Sequence, residues 1–190
     1  LTKVENLPIA LEVSKYIEVV RQDLHKSFWA DITRALQIRL KASKYISRWK
    51  VISEGNFNEA WTTCQIYQKN IPKGFKGSCL SLCLSQSSKR ENFQLLYGLA
   101  WNKETKSPPK LSIYNEVLQK SVEAGVPEDP KNSWWPALLY LDFFLISDGF
   151  ALEYGLGQAD FIKGLSERIW VYFESIESKL YQLNQKLIKA

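Results

Sequence analysis

The sequence predicts an α+β domain, with a small antiparallel sheet of three to four strands covered by long N-terminal and C-terminal helices. Three observations predict it. Between Gly77 and Trp101 two runs alternate in period two around a polar break, the pattern of an antiparallel hairpin. Apolar residues recur at three- and four-residue steps from Ile9 to Leu40 and again from Phe161 to Leu187. A lone hairpin is marginal in water, so its apolar face needs the cover those helices supply.

Taken in order, Leu7-Pro8 suits a helix start, because the N–H that proline lacks has no partner there anyway. Ile9, Val13, Tyr16 or Ile17, Val20 and Leu24 open the stripe. Phe28, Ile32, Leu36 and Leu40 continue it, with a break expected near Asp23–Ser27, where Ser27 can cap a new helix. YISRWKVISEG reads as a short strand and EGNFNEAW as a turn. AWTTCQIYQ, Ala60 to Gln68, is β-branched and aromatic and reads as a strand. NIPKGFKG is a loop.

In the hairpin, Leu80, Leu82 and Leu84 share one side with Leu95, Tyr97, Leu99 and Trp101. Cys79, Ser81, Cys83 and Ser85 form the other side, small enough to receive a helix closely. Pro108-Pro109 exclude regular structure in the following loop. Ser112 or Asn115 can cap a helix that Gly125 ends. The run ALLYLDFFLIS after Pro136 suits a buried helix or a strand, and a helix is preferred. DGFALEYGLGQ reads as a bend or short lid before the last helix. The whole is read as a single domain over 1–190: helical over 1–44, mainly β over 45–102 and mainly helical over 103–190.

The chain has 190 residues, 45% apolar and 24% charged, ordinary proportions for a globular protein. It lacks methionine even at position 1, so it is expected to be a fragment or a processed product. No apolar run approaches the roughly 20 residues that span a bilayer. Three cysteines and one histidine fit neither a disulfide framework nor a zinc site, which points to a reduced, cytoplasmic protein. The net charge is +5. Residues 21–50 and 69–110 each carry eight basic and two acidic side chains, whereas 111–190 carry seven basic and eleven acidic.

The sequence offers no catalytic residues, no cofactor site and no metal site. His25 has no nucleophile-elbow motif to serve, and GLGQ at 155–158 lacks the third glycine of a dinucleotide fingerprint. Glu104-x-Lys106, with Glu91 upstream, imitates half of a metal-dependent nuclease site, but these residues fall in loops. Aromatics interleaved with cations in YISRWK and YQKNIPKGFK match surfaces that stack bases and hold phosphates. The candidate nucleic-acid contacts are therefore Arg39, Lys41, Lys44, Arg48, Trp49, Lys50, Lys69, Lys73 and Lys76.

Phe28-Trp29 at a helix start, Leu96-Tyr97-Gly98-Leu99, Trp134-Trp135-Pro136 and the long helix after Gln158 and Phe161 carry a resemblance. Together they resemble the C-terminal regions of bacterial, defence-associated PD-(D/E)XK nuclease superfamily proteins. The acidic residue and acidic-x-Lys of that family's catalytic strands are not matched. The resemblance therefore implies a non-catalytic accessory domain of a nuclease or defence protein, with DNA or RNA as partner. The alternative reading is a protein-interaction or self-association module using the last helix, with Leu180 and Leu187 at the contact, and a third is an enzyme, a metal-dependent nuclease using Glu104. None of these readings involves a membrane.

Overall fold

A computed structural model describes residues 6–57, 59–88 and 92–189. The fold is α+β, with five strands rather than three to four and three helices. Helix α1 (Leu7–Lys41) leads into β1 (Trp49–Glu54), β2 (Thr63–Gln68), β3 (Leu80–Gln86) and β4 (Gln94–Trp101). Helix α2 (Ser112–Glu123), β5 (Ala137–Phe144) and α3 (Asp148–Lys189) follow. The strands form one antiparallel meander in the order β1-β2-β3-β4-β5. The helices lie on one face of it. The middle of the hairpin turn, including Glu91, lies outside the described residues.

The hairpin register follows its alternation. Leu80, Leu82 and Leu84 stand opposite Trp101, Leu99 and Tyr97, and all six are buried. Cys64 and Ile66 of β2 extend this inner face, meeting Phe28, Ile32 and Leu36 of α1 and Ile169, Phe173 and Ile176 of α3 in one core. Each such aliphatic side chain contributes about 1.5–3 kcal/mol by leaving water, so the helical cover is what holds the sheet.

Four expectations are corrected. ALLYLDFF forms strand β5, because the far edge of β4 needs a partner and Leu96↔Tyr140 and Gly98↔Leu138 supply the pairing. The stretch from Asp148 is the first part of α3, bent where Gly157 leaves helical geometry (φ −127°, ψ 33°). Helix α1 runs unbroken through Asp23–Ser27. Ala60–Thr62 precede β2 rather than belonging to it, and Trp61 adopts a left-handed φ of 68°.

The stripes also part company. The core-facing residues of α1 are His25, Phe28, Trp29, Ile32, Leu36 and Leu40, whereas Ile9, Val13, Ile17 and Val20 are exposed. Among the described residues no helix is long and apolar enough to cross a membrane.

Candidate functional site: an aromatic-rimmed groove on the open sheet face

The small-residue face of the hairpin receives no helix. Strand alternation places Glu54, Thr63, Gln65, Cys83, Ser85 and Ala100 on this outer face, across four neighbouring strands. Trp135 packs against Cys83, Leu96, Ala100 and Leu138, covering one part of it. What remains is a groove of about 700 Å³ with Trp61 on one side and Trp134 on the other. Trp61 is 56% exposed and Trp134 48%.

The backbone of both tryptophans is anchored. The Asn132 side-chain oxygen accepts the backbone N–H of Trp134 at 3.0 Å and of Trp135 at 2.9 Å. The Trp134 carbonyl accepts the Trp101 N–H at 2.9 Å, tying the loop to β4. On the other side, the Trp61 N–H donates to the Gln86 carbonyl at 3.1 Å. The Gln86 amide donates to the Phe57 carbonyl at 2.9 Å and the Glu59 carbonyl at 2.5 Å, fixing the loop that carries Trp61. His25 and Trp29 of α1 both reach the Gln86 side-chain oxygen, at 2.8 and 2.9 Å. The lone histidine thus serves this anchor.

The floor is chemically quiet. Burial pushes the Cys83 thiol well above its ordinary range, and the neighbouring Cys64 to about 11. Both stay protonated near neutrality, so neither is an activated nucleophile. Cys79 is likewise pushed up to about 11 by burial. Most polar side chains of the groove are already engaged. Gln65 donates to Thr63 at 3.2 Å and accepts from Ser81 at 3.0 Å, and Ser85 donates to the Thr62 carbonyl at 3.1 Å. Asn102 accepts the Cys79 N–H at 2.9 Å. Among the described residues no cluster of three or more His, Cys, Asp or Glu is placed to hold a metal ion. Glu104 accepts a hydrogen bond from Ser133 at 3.1 Å in its loop.

The nine cationic and aromatic positions expected to meet nucleic acid do not form one surface. Trp49 is corrected outright: it is fully buried, and its indole donates to Glu177 at 2.7 Å, so it has no face to offer a base. Arg48 pairs with the same carboxylate at 3.3 Å and lies over the Tyr181 ring, while Arg39 pairs with Glu167 of α3. Lys69 donates to the Ile46 carbonyl at 2.7 Å. Lys41 and Lys44 are exposed where α1 ends, away from the groove.

Lys50, Lys73 and Lys76 remain exposed. Lys50 stands opposite Tyr67 across β1 and β2, with its ammonium 5.5 Å from the ring centroid. Tyr67 lies beside Asn102, which lines the groove. Lys103 follows and donates to the Lys76 carbonyl. Lys50, Lys76 and Lys103 therefore gather at the Asn102 end of the groove.

Sequence reasoning missed Trp61, Trp134 and Glu54. The signal for the first two is the surplus of tryptophan, seven in the chain, and Trp134-Trp135-Pro136 enters the sequence reading only through the resemblance it carries. The fold and site define a class: an α+β domain whose antiparallel sheet is helix-covered on one face and carries an aromatic-rimmed groove on the other. Comparison with protein-family models, with curated proteins and with solved structures finds no match to this chain.

Proposed function

We propose that this is a binding domain that holds single-stranded nucleic acid across the open face of its sheet. The observation that carries the proposal is the pair of exposed indoles, Trp61 and Trp134, flanking a groove floored by small residues. Bases stack on such faces whatever their sequence, and each stack contributes about 1–3 kcal/mol. Lys50, Lys76 and Lys103 at one end supply phosphate contacts. The resemblance to PD-(D/E)XK proteins supports a wider role as a non-catalytic accessory domain of a bacterial nuclease or defence protein. The contacts proposed from the sequence move with the geometry, away from Arg39, Arg48 and Trp49 and toward the groove.

The test is fluorescence anisotropy with labelled single strands at two salt concentrations. Affinity falls steeply between about 50 and 200 mM salt, and replacing Lys50, Lys76 and Lys103 with glutamine weakens binding and flattens that dependence. Absence of binding at the lower salt overturns the proposal.

A second reading, a protein-interaction module, is favoured by a different element from the one the sequence suggested. Leu180 of the last helix is fully buried and Leu187 packs half-buried against the same core, whereas Ile9, Val13 and Ile17 of α1 are exposed. Light scattering that gives a monomer both for the wild type and for Ile17→Glu would remove self-association from consideration.

A further inference from the structure

We propose that the groove between Trp61 and Trp134 is a base pocket, and that the base it selects is guanine in a single strand. This rests on the nucleic-acid reading above and names the ligand of the same site.

The volume, about 700 Å³, is that of a small-ligand site and leaves room for one nucleotide. Cys83, Ser85 and Ala100 lie buried beneath the groove and put no bulky side chain into it, while Trp61 and Trp134 are exposed at its rim. The selecting group is Glu54. Gln65, Ser85 and Asn102 already hydrogen-bond within the protein, and Asn132 holds the two tryptophan amides. The Glu54 carboxylate has no hydrogen-bond or ion-pair partner among the described residues. Glu54 is exposed, stands opposite Thr63 at the end of β1 and lines the groove beside Trp61.

An ionised carboxylate only accepts hydrogen bonds, through two oxygens. The matching edge is one with two adjacent donors. In a single strand the Watson–Crick edge is free, and guanine presents N1–H beside N2–H₂. Cytosine and adenine present one amino group next to a ring-nitrogen acceptor. Uracil and thymine present one N–H between two carbonyls, which repel a carboxylate. Guanine alone gives Glu54 a bidentate partner, while the lysines at the Asn102 end take the flanking phosphates. DNA and RNA share this chemistry.

The experiment titrates the whole chain with strands of roughly six nucleotides, a length a single binding surface covers. The strands are oligothymidine, oligothymidine with one central guanine, adenine or cytosine, and the RNA counterparts. The expected result is binding about tenfold tighter for the guanine strand, in line with one good bidentate contact. Glu54→Gln, which exchanges one acceptor oxygen for a donor, brings the strands to within about twofold of one another on the same scale. Trp61→Ala and Trp134→Ala each weaken all strands by about tenfold, with thermal unfolding confirming that both variants fold. A matching preference in both backbones assigns the selectivity to the base, and preference in only one backbone overturns that assignment. Equal affinity for all strands, unchanged by Glu54→Gln, overturns the guanine pocket while leaving nucleic-acid binding standing. Failure of every strand to bind at low salt overturns both.

Discussion

His25 reaches Gln86 at 2.8 Å, joining α1 to the end of β3 inside a cage formed by Phe57 and Phe93. Gln86, Phe57 and Phe93 are neutral partners, and burial lowers the imidazole pKa below 6.5, outweighing the Gln86 bond that raises it. The unfolded chain therefore binds this proton at a higher pH than the folded one. Stability from this site is complete above pH 6.5 and declines as pH falls below it, by at most about 1.4 kcal/mol per pH unit, until the folded pKa is reached. Urea unfolding between pH 7.5 and 5.5 checks this. His25→Gln is expected to unfold with a flatter pH dependence than the wild type.

Glu177 is a buried carboxylate on α3 that accepts from Trp49 at 2.7 Å and pairs with Arg48 at 3.3 Å, joining the last helix to β1. Removing it strands a buried indole N–H and leaves the Arg48 charge unpaired. Glu177→Ala is expected to cost about 3 kcal/mol in chemical denaturation, and Glu177→Gln less, because an amide oxygen still accepts from Trp49.

Asn184 holds both backbone polar groups of Leu80, the first residue of β3. Its amide donates to the Leu80 carbonyl at 2.8 Å, and its oxygen accepts the Leu80 N–H at 3.0 Å. Asn184→Leu has similar size but satisfies neither, so a loss of about 2–3 kcal/mol is expected. Hydrogen exchange at Leu80 should accelerate more than at Leu82, a residue further into the strand.

Gly98 lies against the backbone of β5. A methyl group there would stand 2.1 Å from the Ala137 carbonyl oxygen and 2.7 Å from the Leu138 Cα. Backbone cannot step aside as a side chain does, so Gly98→Ala is expected to cost about 3 kcal/mol, the upper end for overpacking. Because Leu138 also braces Trp135, the same variant should alter the tryptophan emission of the groove.

Residues 7–20 of α1 are exposed throughout. Val13 is 51% exposed and Val20 54%. Val13→Ala and Val20→Ala are each expected to shift the unfolding free energy by less than about 0.5 kcal/mol, in contrast to Ile32→Ala, where about 2–5 kcal/mol is lost from the fully buried core. Melting the three variants side by side checks the contrast.

The sequence by itself determined the parts of this protein that depend on neighbours in the chain. Alternation of Leu with Cys and Ser set the hairpin and its two faces. The three- and four-residue steps after Phe161 set the buried stripe of α3, and Gly125 marked the end of α2. Tertiary structure decided what depends on distant partners. ALLYLDFF became a strand because β4 offered an open edge, and periodicity does not encode that. The stripe of α1 looked continuous from Ile9 to Leu40, but only the part opposite the sheet and α3 is buried. Trp49 sits among cations in the sequence and reads as a stacking ring, yet α3 brings Glu177 to its indole from 128 positions away and closes it into the core. The groove arose the same way. Glu54, Trp61, Cys83 and Trp134 share no local pattern, and the meander alone brings their strands and loops to one face.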